Sequence, residues 1–215
     1  MSLIPPQFLF RWSLPVRHVA ALPRSGQHLL KLPATCTLPE HGSLDPNPRF
    51  GELRVGWNAE GIGFSVNVSG KRRPPRCDQR LPLESDGLQL WIDTRNTQTI
   101  HRASRFCHHF CALPTGGEDG ASPVVRQFPI ARAREEATLA EPDQFAARSE
   151  IRADGYLLEV WLPAEVLHGY DPETNPRLGF YYALRDGELG EQYLAVGPEF
   201  PFAYDPSLWW TLELT

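Results

Sequence analysis

A strict alternation of apolar and other side chains constrains the fold of this chain more than any other feature. Apolar residues take every second position in 53–57 and again in 62–68, and residues 58–61 between these runs include a glycine. A period of two is that of a β-strand, whose successive side chains point to opposite faces. Two such runs on either side of a Gly-containing turn predict a β-hairpin.

The same period recurs along most of the remaining chain, and almost no segment has the periodicity of a helix. The further predicted strands are 88–93, 105–111, 127–136, 145–152, 156–162, 180–185 and 208–214, with one helical turn at 163–167. Many short strands between Pro- and Gly-containing turns predict an all-β fold. We expect a single-domain antiparallel β-sandwich of the jelly-roll type with short helical turns, in which each sheet has one buried and one solvated face.

No linker divides the chain, so residues 1–215 are predicted to form one domain. Prolines separate the short apolar runs 8–14, 29–32 and 36–38, so residues 1–50 are predicted to be an N-terminal strap or a set of short edge strands. Residues 44–48 are predicted to be a loop, and residues 51–215 form the core sandwich. The basic, Pro-rich segment 71–82 is predicted to be a loop with solvated charges.

Charge and composition limit the partners of this protein. The formal net charge is -5 and the arginines are scattered among carboxylates, so we expect no nucleic-acid partner. No stretch approaches the roughly 18 apolar residues of a membrane span, so we expect no membrane partner. The N-terminus has no basic, apolar leader, which predicts that the 4 cysteines are free thiols and that the protein is cytoplasmic. A monomer or a weak homodimer is expected.

Side chains on the solvated faces of the predicted strands are the candidates for function. If Leu88, Leu90 and Ile92 point into the core, the residues between them point outward, and the same alternation applies to 156–162 and 180–185. Strands lying side by side would join these residues into one face. The candidate ligand-binding residues are Trp91, Asp93, Arg105, His109, Glu159, Trp161, Tyr181 and Arg185. Alternatively, the strap or the segment 112–144 covers this face, and its tryptophans form a second packing layer.

Three further interpretations concern metals, ion pairs and catalysis. Cys107, His109 and Cys111 alternate on one strand about 6.6 Å apart, too far for short side chains to share a zinc ion comfortably. The oxygen-rich loop 171–175 offers Asp171, Glu173 and Asn175 as weak candidate calcium ligands, with an ordinary turn as the alternative. An ion-pair network is predicted, or else a pocket for an anion, from Asp93, Arg95, Arg102 and Arg105. Asp93 and Glu159 could act as an acid/base pair, but no nucleophile elbow and no His-Glu-x-x-His motif is present.

Three segments in order carry a resemblance to a known family. A hairpin ending at Gly61–Val68 precedes Asp86–Asp93, then Gly155–Pro163, then Leu178–Phe180. This order resembles that of the family 9 carbohydrate-binding modules and the wider DOMON-like sandwiches, over about residues 50–214. The resemblance implies a β-sandwich that binds sugars, often with structural calcium. The chain departs from the pattern at Gln89, where the family usually has Glu, and in the long insert between Asp93 and residue 145.

The leading functional hypothesis is therefore non-catalytic binding of a saccharide or a similar polar ligand. Aromatic side chains would stack on the apolar face of a sugar ring, and charged side chains would hydrogen-bond its hydroxyls. The alternative is a protein-interaction or scaffold domain that uses the same face. A hydrolase or a metal-dependent enzyme ranks third.

Overall fold

The computed structural model describes residues 11–26, 28–39 and 49–215, and in these the chain forms strands and 3₁₀ turns only. The strands are β1 (Ser13–His18), β2 (Gly51–Asn58), β3 (Gly61–Ser69), β4 (Gly87–Asp93), β5 (Cys107–Leu113), β6 (Val124–Phe128), β7 (Ala146–Arg152), β8 (Gly155–Pro163), β9 (Arg177–Asp186), β10 (Gly190–Tyr193) and β11 (Trp210–Leu214). The 3₁₀ turns are Ala34–Cys36, Pro82–Glu84, Pro142–Gln144, Ala164–Val166 and Pro206–Leu208. None of the described elements is a helix long and apolar enough to cross a membrane.

The strands form two sheets that share β1. Sheet A has the order β6-β5-β4-β9-β11-β1, with β10 pairing the second half of β9, and sheet B has the order β1-β2-β3-β8-β7. Residues 13–16 of β1 lie parallel to β11, and residues 17–18 lie parallel to β2, whereas the other strand pairs are antiparallel. Because one strand passes from sheet to sheet, the sandwich is closed along that side.

The core lies between the sheets, where the apolar half of each alternating run meets the other sheet. Phe64 of β3 stacks on Phe180 of β9 with ring centroids 5.6 Å apart. Leu90 of β4 and Val160 of β8 are fully buried. The all-β sandwich predicted from the alternation is confirmed.

The prediction was wrong in detail where strands are short or covered. The strand predicted over 127–136 is β6, which ends at Phe128, and β10 was not predicted. For residues 29–32 the edge-strand alternative is wrong and the strap alternative holds, since these residues pack on sheet B without forming a strand. Residues 36–38 contain the end of a 3₁₀ turn and a single bridge from Thr37 to Arg54. The predictions for residues 1–10 and for the loop 44–48 lie outside the described residues.

The prediction that the charges of 71–82 are solvated is wrong for Lys71. Its side chain is buried, and its Nζ forms ion pairs with Asp86 Oδ2 at 3.2 Å and with Asp186 Oδ2. Asp86 directly precedes β4 and Asp186 is the last residue of β9, so the ion pairs tie the 71–82 loop to sheet A. The neighbouring Arg72 does have an exposed side chain.

Candidate functional site

The candidate residues of strands 88–93, 156–162 and 180–185 do not share one face, because these strands belong to different sheets. Glu159 and Trp161 lie on β8 in sheet B, whereas Trp91 and Tyr181 lie on adjacent strands of sheet A. The outer faces of the two sheets point in opposite directions. The single aromatic and acidic face inferred from the alternation is therefore wrong.

Part of the outer face of sheet B is covered by residues 19–26 and 28–39, which from here on we call the strap. Trp161 packs beneath it against the apolar side chains Leu22, Leu29, Leu30, Leu32 and Cys36. The carboxylate of Glu159 accepts hydrogen bonds from the backbone N–H groups of Leu29 (2.8 Å) and Lys31 (2.7 Å). Both residues therefore hold the strap in place, as the alternative interpretation of these side chains expected.

Trp91 lies on the outer face of sheet A within a group of aromatic rings. It stacks on His109 of β5 with centroids 4.3 Å apart and planes within 5°, and it makes edge contacts with Tyr181 and Phe202. Cross-strand pairing places Trp91 opposite His109 on one side and Tyr181 on the other. Only 2% of Trp91 is exposed, so it is largely a packing residue.

The loop between β10 and β11 covers this aromatic group. Phe202 stacks on Tyr181 at 4.4 Å, and Tyr181 donates a hydrogen bond to the carbonyl of Val196. The indole of Trp209 donates to the carbonyl of Phe202 at 2.7 Å. Tyr181 is consequently sealed from solvent. Burial raises its pKa far above the ordinary tyrosine value.

Beside this cover a groove of about 130 Å³ remains open on sheet A; we call it the Gln89 groove. Its wall and floor include Gln89, Trp91, Arg185, Glu191, Tyr193 and Phe202. Register explains the grouping, because Gln89 pairs with Ala183 and Arg185 pairs with Glu191 across adjacent strands. The groove thus combines aromatic rings with an amide and a pair of charges.

The polar side chains of the Gln89 groove hold one another in place. Arg185 and Glu191 form an ion pair at 3.1 Å, and Tyr193 donates a hydrogen bond to the same carboxylate. Gln89 Oε1 lies 3.1 Å from His109 Nε2. Because an amide oxygen only accepts, this ring nitrogen carries the proton. Burial lowers the pKa of His109 to about 3, so the imidazole is neutral at neutral pH.

Two other predicted residues lie outside the groove. Asp93 is buried at the end of β4, and its carboxylate accepts hydrogen bonds from the backbone N–H groups of Arg95 (3.0 Å) and Thr97 (2.6 Å). It orders the turn after the strand, and burial raises its pKa. Arg105 is exposed, pairs with Glu135 at 3.4 Å and lies over the ring of Phe106.

The predicted network of Asp93 with three arginines does not form. Arg95 contacts Asp93 through its backbone N–H and places its guanidinium over Phe106. Arg102 donates to the backbone carbonyls of Arg132 and Ala133. Asp93 and Glu159 lie on different sheets, so they form no acid/base pair.

The described residues contain no cluster of three or more His, Cys, Asp or Glu side chains placed to hold a metal. Asp171 accepts a hydrogen bond from the backbone N–H of Thr174, and Asn175 donates to the carbonyl of Thr94, as in an ordinary turn. Burial raises the pKa of Cys107 and of Cys111 to about 12, so both are protonated thiols at neutral pH. Calcium binding by Asp171, Glu173 and Asn175 stays a prediction.

One arrangement resembles a catalytic triad by residue type only. His101 Nδ1 lies 3.2 Å from Asp205 Oδ2 and 3.1 Å from Ser207 Oγ. A relay needs the acid and the nucleophile on opposite ring nitrogens, and here both contact the same one. These residues order the loop between β10 and β11 instead, since Asp205 also accepts a hydrogen bond from the backbone N–H of Ser207.

Sequence reasoning missed Glu191, Tyr193 and Phe202 as residues of the Gln89 groove. Glu191 and Tyr193 lie on the four-residue strand β10, which is too short for the alternation to be recognised. Phe202 lies in a loop of prolines and aromatics without any period. A pairing of Arg185 with an acidic residue after the turn at Asp186–Gly187 was the available clue.

The fold is that of the family 9 carbohydrate-binding modules. A family 9 module from Caldicellulosiruptor kristjanssonii in complex with cellotriose superposes with a TM-score of 0.58 at 11% identity, over 95% of this chain and 94% of that chain. The module from that organism in complex with glucose gives 0.58 at 10% identity, over 95% and 96%. A candidate carbohydrate-binding protein from Bacteroides uniformis gives 0.51 at 12% identity, over 77% and 78%. No family model matches the sequence, and no curated protein matches it.

Proposed function

We propose that this protein binds a neutral saccharide, without catalysis, in the Gln89 groove. The observation that carries the proposal is the composition of the groove, where three aromatic rings adjoin an amide and a balanced Arg185–Glu191 pair. Aromatic rings next to hydrogen-bonding groups match a sugar, which has apolar C–H faces and a rim of hydroxyls. The likeness in fold to modules solved with cellotriose and glucose supports the same ligand class.

Within this site the side chains divide the work. Tyr193, which is half-buried, offers the apolar contact, and the buried ring of Phe202, with its centroid 5.5 Å away, supports it. Arg185 and Glu191 offer a charged donor and a charged acceptor, and hydrogen bonds to charged groups are stronger than those between neutral groups. Gln89 adds an amide whose orientation is fixed by His109.

The test is titration calorimetry of the full chain with glucose and with cellotriose, comparing wild type with Arg185→Met. Arg185 is partly exposed, so its loss should leave the fold intact while weakening binding roughly tenfold or more. Trp91 is unsuitable for this purpose, because truncating a buried tryptophan opens a cavity and costs about 3–5 kcal/mol of stability.

Arg152→Met is the matched control. Arg152 forms a comparable surface ion pair with Glu150 at 3.0 Å, but on the edge strand of sheet B. We expect this variant to bind as the wild type does. Equal binding by Arg185→Met and Arg152→Met would refute the Gln89 groove as the site, and no heat with either sugar would refute the ligand class.

A protein-interaction role is the second candidate, and one observation favours it. Leu81 and Leu83 are 53% and 38% exposed in the loop that precedes β4, and the Leu83 carbonyl accepts a hydrogen bond from Gln89. Exposed apolar side chains beside a groove are one mark of a protein contact. Light scattering of wild type and a Leu81→Ser, Leu83→Ser double variant decides between them, since a dimer lost in the variant supports an interface.

Calcium is proposed as an additional ligand with Asp171, Glu173 and Asn175 as the candidate residues. A ligand that binds only the folded state raises stability by about 2.7 kcal/mol at a hundred times its Kd. We therefore expect calcium to raise the unfolding temperature and a chelator to reverse the change. An Asp171→Asn variant that responds to calcium as the wild type does would exclude this loop.

A further inference from the structure

A second groove, of about 330 Å³, lies on the same outer face of sheet A, at the other end of β9. We call it the Trp12 groove, and Arg11, Trp12, Asn96, Gln98, Arg177 and Glu213 line it. Arg177 and Arg185 lie on one face of β9, eight residues apart, which is about 26 Å along an extended strand at about 3.3 Å per residue, and each lines one of the grooves. The covered pair of Tyr181 and Phe202 lies between them. The grooves are therefore separate sites.

The aromatic wall of this groove is Trp12. It is 38% exposed, whereas Trp91, Trp161, Trp209 and Trp210 are buried. Its ring makes a tilted contact with the buried ring of Trp210, with centroids 6.3 Å apart, which holds the Trp12 ring in place. A supported but accessible indole is suited to stacking on the apolar face of a ring-shaped ligand.

Two amides stand next to Trp12 in a fixed arrangement. Gln98 Nε2 donates to Thr211 Oγ1 at 2.6 Å, and Thr211 Oγ1 donates to Asn96 Oδ1 at 3.1 Å. These bonds use the amide nitrogen of Gln98 and the amide oxygen of Asn96. The amide oxygen of Gln98, an acceptor, and the amide nitrogen of Asn96, a donor, remain for a ligand. The pair can thus present one acceptor and one donor to adjacent hydroxyls.

Charge distinguishes the Trp12 groove from the Gln89 groove. Arg177 pairs with Glu213 at 3.2 Å, but the guanidinium of Arg11 donates to the carbonyl of Gln98 and enters none of the ion pairs among the described residues. Two guanidinium groups against one carboxylate leave an excess of positive charge at this site. In the Gln89 groove Arg185 is balanced by Glu191.

We propose that the Trp12 groove is a second binding site, for a saccharide that carries a carboxylate, such as a uronate. The indole of Trp12 stacks on the sugar ring, Asn96 and Gln98 hydrogen-bond its hydroxyls, and Arg11 pairs with its carboxylate. Arginine matches a carboxylate in a planar, two-bonded geometry, which fixes the orientation of the ring as well as adding affinity. The volume falls at the lower end of the range of about 300–1,000 Å³ for small-molecule sites.

The experiment observes the indole N–H resonances of the 6 tryptophans by NMR in the full chain. The Trp12 resonance is assigned with a Trp12→Phe variant. Titration with glucuronic acid should shift this resonance at lower concentration than titration with glucose, and Arg11→Gln should weaken glucuronic acid binding roughly tenfold without changing the response to glucose. Arg72→Gln, at an exposed arginine of the 71–82 loop, is the matched control and should behave as the wild type.

Several outcomes overturn the proposal. If glucuronic acid does not shift the Trp12 resonance while glucose shifts the Trp91 resonance, the second site is wrong and the Gln89 groove is supported as the binding site. If glucose and glucuronic acid act equally and Arg11→Gln changes neither, the preference for a carboxylate is wrong. If acetate shifts Trp12 as strongly as glucuronic acid, the site recognises a carboxylate rather than a sugar. A Trp12 response that persists in Arg185→Met supports two independent sites.

Discussion

At the scale of single residues, Lys71 holds two carboxylates together inside the protein. Each carboxylate also accepts backbone hydrogen bonds: Asp86 from Arg76 and Gly187, and Asp186 from Glu188 and Leu189. Burial alone would lower the pKa of Lys71, but the hydrogen bond and charge of Asp186, together with the charge of Asp86, raise it. The ammonium group therefore stays charged in the interior.

We expect Lys71→Met to lower the free energy of unfolding by about 3–5 kcal/mol, because it leaves two buried carboxylates without a counter-charge. Urea unfolding at neutral pH measures the loss. Arg72→Met, one residue along and with an exposed side chain, should change little. Equal stability of the two variants would contradict a structural role for Lys71.

A second readout uses the sign of the pKa shift. Because the folded-state pKa of Lys71 is raised, its contribution is complete below the ordinary lysine value of about 10.4 and is lost as pH rises through the folded value. Wild type should thus lose stability at alkaline pH, and Lys71→Met should lose less over that interval.

At the scale of elements, the strap depends on one carboxylate. Glu159 accepts from two strap N–H groups, and Glu159→Gln turns one of these contacts into two facing donors. We expect a cost of about 2–3 kcal/mol and a local opening of the strap over sheet B. Hydrogen exchange at the amides of Leu29 and Lys31 should accelerate.

Glu150→Gln is the control for the strap, since Glu150 is exposed on the neighbouring strand β7 and bonds to Arg152. This variant should leave exchange at Leu29 and Lys31 unchanged. If those amides exchange in Glu159→Gln as slowly as in wild type, the carboxylate does not secure the strap.

Elements also show how far the sequence predicts the structure. The strands β2, β3, β4, β8 and β9 are predictable because each turns one face into the core between the sheets. Every second side chain on such a strand must then be apolar, and this period of two is visible in the sequence. Residues 129–136 alternate by chance, and no strand pairs with them beyond Phe128. The strap has no period, because it is held by hydrogen bonds to Glu159 and by packing on Trp161, and not by pairing within a sheet.

At the scale of the whole molecule, the candidate site could be predicted only in part. Alternation states that Trp91 and Trp161 both point outward, and this is true of each strand. It does not state which sheet a strand joins, and here β4 and β8 join different sheets with opposite outer faces. The sheet that each strand joins is set by long-range pairing, through β1 and the late strands β9 to β11. Local periodicity carries no information about such pairing.

The stability of the whole sandwich toward acid depends on two neighbouring histidines of β5. Burial lowers the pKa of His108 to about 4 and that of His109 to about 3, against an ordinary value of about 6.5. Both are neutral in the folded state and take up protons on unfolding, so stability falls as pH drops below about 6.5. The loss is at most about 1.4 kcal/mol per pH unit for each histidine. Asp93 acts in the opposite direction, because burial raises its pKa and the folded state binds that proton first.

Urea unfolding between pH 7 and pH 4.5 tests this dependence, with side chains that keep the observed hydrogen bonds. His109→Gln can still donate toward Gln89, and His108→Asn can still accept from Gln127. Each variant should be less stable than wild type at pH 7, through altered packing, and should lose less stability on acidification, because it has one fewer proton to bind on unfolding. His101→Gln, at an exposed histidine, should retain the wild-type pH dependence. If the free energy of unfolding falls equally steeply with decreasing pH in wild type and in all three variants, the acid sensitivity belongs to groups other than the histidines of β5.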